Sequence, residues 1–213
     1  ASRSAPAPAP AGNTRVAAWF FALITALIAF LNTGMSSHMI AMLTGLGFGM
    51  GSAVWVSAFR GFGQVAGRLG ELLFAGRLHP TRVNLVACVL IPGAFAMLAL
   101  GGAQIVTALL FALTYGLGNG IATITRGSLP LVLFGAAGYG ALVGRLLVPS
   151  FLLSAAAPLV YAEVGSRYGG HGTAALSVAV ALAALGASVA LAGATRQRPG
   201  GPGGPSGGGP IDR

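Results

Sequence analysis

Arginine is the main chemical resource of this chain. All twelve basic residues are Arg, and the acids are Glu71, Glu163 and Asp212. Without Lys there is no Gly-rich phosphate loop closed by Lys, no Schiff base and no Ser–Lys dyad. His38, His79, His171 and Cys88 have no zinc spacing, so neither metal nor cofactor is expected. What an Arg can do in apolar surroundings is hold a carboxylate or phosphate through its planar, permanently charged fork. The expectation is a protein that binds and is not an enzyme, with no nucleic-acid partner.

Five residues are candidates for contact with a small solute: Arg60, Gln64, Asn32, Asn119 and Arg145. Arg60 lies in a long apolar run, where insertion of Arg costs about 2.5–3.5 kcal/mol. It either meets an anionic substrate or pairs with an acid from elsewhere. Gln64 follows one helical turn later and shares its face. Asn32 and Asn119 can bond a solute or a neighbouring helix. Arg145 can line an anion path, snorkel to an interface or pair with Glu71. Arg68 and Glu71, three apart, have the spacing of a pair and are expected to form a latch at the cytoplasmic end. His38 and His171 are expected in solvated outer loops.

The elements that carry these residues are membrane spans. The hydrophobic fraction is 55%, the charged fraction 7% and the mean hydropathy +0.82; soluble domains carry about 25% charged residues. No charged residue occurs in 16–59, 83–125 or 172–195. A span needs about 20 apolar residues, and in lipid its backbone must be helical. Six helices are predicted, at about 16–37, 49–72, 84–101, 104–125, 138–162 and 173–194. Pro80, Gly101-Gly102, Pro130 and Gly169-Gly170 separate them. Residues 1–15 read as a Pro/Ala-rich linker, 16–196 as the transmembrane domain and 197–213 as a disordered Gly/Pro-rich tail. The lone Cys88 excludes a disulfide framework. A first residue other than Met favours a longer native chain.

Positive charge collects on cytoplasmic loops. With the N-terminus inside, Arg3, Arg15, Arg77, Arg82, Arg126, Arg196, Arg198 and Arg213 fall on inner segments and only Arg167 on an outer one. Both termini are therefore expected in the cytoplasm. Arg without Lys, beside abundant Ala and Gly, suggests a GC-rich bacterial genome and hence a bacterial inner membrane.

Gly67-Arg68-Leu69-Gly70-Glu71, followed by Gly76-Arg77-Leu78-His79-Pro80-Thr81-Arg82, resembles the loop signature of the major facilitator superfamily. Gly67 and Glu71 have its Gly-to-acid spacing, while Gly76-Arg77 comes later than the pattern has it. Gly116-Leu117-Gly118-Asn119-Gly120, and Arg126-Gly127-Ser128-Leu129-Pro130 leading through Leu133-Phe134-Gly135 to Gly138-Tyr139-Gly140, look like the tenth helix and the following loop of such transporters. The resemblance implies an all-α membrane protein whose six helices are the C-terminal half of a twelve-helix fold. The N-terminal half would be its partner. It also implies alternating access for a small solute, with the first and fourth helices lining the cavity and the second and fifth flanking it.

Arg60 then points to a small organic or inorganic anion as the solute. A self-contained six-helix channel or homodimeric carrier is the alternative. An intramembrane serine protease is a remote one, because Ser188 in Gly186-Ala187-Ser188-Val189 lacks the Gly-x-Ser-Gly setting and no His falls in an expected span.

Overall fold

A computed structural model describes residues 12–73, 79–135 and 139–196. The Arg77 segment, most of the Pro/Ala linker and the Gly/Pro tail lie outside the described residues. The rest is helical: α1 Gly12–Gly45, α2 Met50–Leu73, α3 Pro80–Gly101, α4 Ile105–Phe134 and α5 Tyr139–Arg196. Four of these, α1, α3, α4 and α5, are long and apolar enough to cross a membrane. This is the helix set of an all-α membrane protein. α2 holds Arg60, Gln64, Arg68 and Glu71 within 24 residues and falls short on composition alone.

Five helices stand where six are expected, because α5 passes through a kink. Its 58 residues include Gly169 at φ 63°, a left-handed conformation that favours glycine. The Tyr161 hydroxyl lies 2.7 Å from Ser177 Oγ, sixteen residues on; along a straight helix they would be about 24 Å apart. The chain therefore reverses at Gly169 into two arms, 139–168 and 170–196. Gly102 (φ 63°) ends α3 and Gly47 (φ 96°) turns the chain from α1 to α2.

Three boundaries differ from the sequence reading. α1 runs to Gly45, because Met39–Leu43 continue the apolar pattern and no breaker intervenes. His38 is thus helical, its Nδ1 buried without a hydrogen-bond partner among the described residues. Pro80 opens α3, where a missing N–H costs nothing, and His79 caps it by accepting from Thr81 N at 3.4 Å. Pro130 lies inside α4, which continues to Phe134 and closes when Gly135 N–H donates to Leu131 O. Neighbouring helices make such a proline tolerable in a span. Arg126 consequently sits within the helix and not in a loop. Arg167, expected in an outer loop, is also helical and pairs with Glu163 on an exposed face.

Two apolar clusters occupy opposite ends of the bundle. One joins Leu31–Leu43 of α1, Val56, Phe95, Phe111 and Tyr161. The other joins Ala17 and Phe21 of α1 with Cys88, Leu129 and Leu191. α1 enters through the second cluster and leaves through the first, and α4 does the reverse, so the two helices are antiparallel.

Two Arg–Ser bridges are related by a shift along the chain. Arg60 Nη2 donates to Ser36 Oγ at 3.0 Å, and Arg126 Nη2 donates to Ser150 Oγ at 3.0 Å. Ninety positions separate Ser36 from Arg126 and Arg60 from Ser150, so the same two places are bridged with donor and acceptor exchanged. Asn84 Nδ2 donates to Ser188 Oγ at 2.8 Å. The corresponding places, Ala174 and Leu98, line one pocket together. Places ninety residues apart in 12–101 and 105–196 are thus joined alike at these bridges, with α1 and α4 antiparallel.

Candidate functional site

The helix pair α2–α4 sets the position of Arg60. Gly63 and Gly67 of α2 face Gly116 and Gly120 of α4, all buried. A Cβ on Gly63, Gly67, Gly116 or Gly120 would collide with the carbonyl oxygen of Leu113, Leu117, Arg60 or Gln64 respectively. Small residues four apart let two backbones approach in this way. Gly140 and Gly144, also four apart, have open space around them instead.

Close approach on that side leaves Arg60 directed along the edge of α1. Its Nη2 is held by Ser36, and the Tyr115 hydroxyl lies beside it. Its Nη1 is buried and has no hydrogen-bond partner among the described residues. The same is true of Ser57 Oγ, one turn earlier. Buried polar groups ordinarily find partners, so two unsatisfied groups side by side are a feature to be explained. Gln64 is half-buried one turn further on, its carbonyl against Gly120.

Asn32 and Asn119 come together on a different opening, between α1 and α4. It encloses about 80 Å³, and its polar lining is Thr25, Asn32, Asn84, Asn119, Thr123 and Arg126. Most of these groups are tied to the protein. Asn119 Nδ2 donates to Tyr115 O at 3.1 Å, Thr123 to Asn119 O at 2.8 Å and Thr25 to Phe21 O at 2.8 Å. Asn32 Oδ1 is buried with no partner among the described residues. Arg126 is half-buried, hydrogen-bonded to Ser150 and stacked on Phe151 at 5.7 Å from the ring centroid. Larger openings at the ends of the bundle are either mainly apolar, about 380 Å³ around Phe95 and Leu98, or made by the ends of α3 and α5, about 270 Å³ around Arg82 and Thr195.

The sequence candidates therefore separate. Asn32 and Asn119 share a cavity, while Arg60 and Gln64 form a second polar group on α2. Arg145 is exposed on the first arm of α5 and does not line the cavity. Arg68 and Glu71 make no ion pair with each other. Glu71 continues the row Gly63–Gly67 that faces α4, whereas Arg68, about 60° around the helix from Glu71, is exposed. Glu71 Oε2 is buried without a partner among the described residues. Arg126, which the sequence places on an inner segment before the break at Pro130, also lines the cavity, because α4 continues through that proline. No group of His, Cys, Asp or Glu able to hold a metal occurs among the described residues.

A scan against family models and searches of curated proteins and of solved structures found no match.

Proposed function

We propose that this chain is half of a secondary membrane transporter for a small anion. The observation that carries the reading is the pair of Arg–Ser bridges ninety residues apart, one at each end of the bundle with donor and acceptor exchanged, as an inverted repeat would place them. Inverted repeats are the usual construction of alternating-access carriers, whose sites lie where repeats meet. With α2 taken as a span and the two arms of α5 counted separately, the chain would cross six times, as in one half of the major facilitator fold. The second half, a separate six-helix unit, would close the cavity. Both termini would be cytoplasmic, in a bacterial inner membrane.

The anion follows from charge. Arg60 and Arg126 lie within helices, and neither has an acidic partner among the described residues. An Arg in a span is costly and generally faces protein or a water-filled cavity. A substrate carboxylate or inorganic anion would supply the missing countercharge. The test is uptake of a panel of radiolabelled carboxylates and inorganic anions by the full-length protein in liposomes. Saturable uptake, lost in Arg60→Gln, is expected. An unsaturable conductance, or saturable uptake by the 213-residue chain alone, would favour the channel or homodimer reading.

A further inference from the structure

The cavity between α1 and α4 presents two unmet demands of different kinds. On one side is Arg126. Among the described residues its one hydrogen bond runs from Nη2 to Ser150 Oγ, out of the five N–H donors a guanidinium offers. On the other side is Asn32 Oδ1, a buried acceptor with nothing to accept from. Asn119, Thr123, Thr25 and Asn84 of the lining each donate a hydrogen bond within the protein. The cavity thus combines guanidinium donors from α4 with an unmet buried acceptor from α1.

We propose that this cavity binds a small anion that brings its own hydrogen-bond donor, of the 2-hydroxycarboxylate type. The carboxylate takes the Arg126 fork, and the hydroxyl donates to Asn32 Oδ1. The proposal rests on the anion-carrier reading and names the substrate chemistry within it. Size agrees. One water needs roughly 10–15 Å³ by this measure, so about 80 Å³ accommodates a molecule of a few heavy atoms. Charge agrees as well, because no acid lines the cavity. The aromatic face of Phe151 helps hold the guanidinium, leaving its other edge for the ligand.

The competing account makes Arg126 an interfacial anchor and the cavity a water pocket. The two differ in what reaches Thr123, which is exposed on the cavity wall. In the full-length protein, Cys88 and any cysteine outside this segment are replaced by Ser, and Thr123→Cys is introduced. The purified protein is treated in detergent with an anionic (sulfonate) or a cationic (trimethylammonium) methanethiosulfonate. The anionic reagent is expected to react about tenfold faster. Arg126→Gln should abolish that preference and Arg126→Lys should keep most of it. Glycolate should protect the thiol at a concentration at least about fivefold lower than acetate, the difference being one donor. Asn32→Ala should erase that difference while leaving acetate protection unchanged.

No charge preference, or no labelling by either reagent, overturns the site. Equal protection by glycolate and acetate overturns the requirement for a donor. A variant that elutes as aggregate is replaced by Asn32→Asp, which presents acceptors only and adds a negative charge; it should weaken both ligands. Labelling is read at equilibrium without transport. Protection without uptake would therefore retain the site and remove the carrier reading, and uptake without protection would do the opposite.

Discussion

Gly67 of α2 and Gly120 of α4 lie back to back: a Cβ on Gly67 would come within 3.2 Å of the Gly120 Cα, and one on Gly120 within 3.1 Å of the Gly67 Cα. Each would also strike a backbone oxygen, which cannot move aside as a side chain can. Gly67→Ala and Gly120→Ala should each lower the thermal midpoint in detergent, at a cost of about 1–3 kcal/mol. Gly140→Ala and Gly144→Ala, which meet nothing within 4 Å, should leave it unchanged or raise it. A Gly120→Ala variant as stable as the parent would show that α2 and α4 are not packed in this way.

Asn84 and Ser188 hold α3 against the second arm of α5 through a buried hydrogen bond of 2.8 Å. In a double-mutant cycle of Asn84→Ala and Ser188→Ala, the coupling should be about 0.6–1.7 kcal/mol. Additive effects would mean that the two side chains do not interact in the membrane.

At the kink, the Tyr161 hydroxyl and Ser177 Oγ join the two arms of α5. Tyr161→Phe keeps the ring among Phe30, His38 and Gly34 while removing the bond. A loss of about 1 kcal/mol is expected, measured by thermal or denaturant unfolding. No change on removing the hydroxyl would place the energy of the reversal elsewhere.

For Arg60, the substitution Arg60→Gln should slow saturable anion uptake at least about tenfold without lowering the thermal midpoint. Arg60→Lys should rescue poorly, because an ammonium lacks the planar fork. A structural partner in the other half predicts the reverse, namely lost stability with uptake retained. Ser36→Ala removes the protein's hold on Nη2 and should slow uptake less than loss of the guanidinium itself.

Arg82 begins α3 and Arg167 ends the first arm of α5, at opposite ends of the bundle. In a Cys88→Ser background, cysteine at 167 should react with an impermeant thiol reagent in intact cells, and cysteine at 82 only after permeabilisation. The reverse pattern would invert the topology.

Several breaks were legible because they rest on local chemistry. Gly102 and Gly169 stand in left-handed backbone that glycine favours, and both were read as breaks. Pro130 misled for the complementary reason. A proline signals the loss of one backbone bond, and only the packing around it decides whether the helix goes on. That single misreading moved Arg126 from cavity wall to loop. The glycine seam was hidden by number, since 35 glycines produce four-residue spacings by chance. Gly63, Gly67, Gly116 and Gly120 matter because they meet one another, which no spacing within one helix reveals. Asn32 and Asn119 were legible as polar groups in apolar runs, although their shared cavity depends on the crossing of α1 and α4. The ninety-residue relation is invisible in the sequence because Arg stands at the place of Ser in one bridge and Ser at the place of Arg in the other.

The ninety-residue shift also bears on ancestry. Under the carrier reading, each copy crosses the bilayer three times, and an odd number of crossings turns the next copy upside down with no further event. A tandem duplication of a single three-span stretch would therefore create both orientations at once. The exchange of Arg and Ser between the copies would then record divergence after duplication: each descendant kept one bridge across the same joint, but placed its charge on the opposite partner.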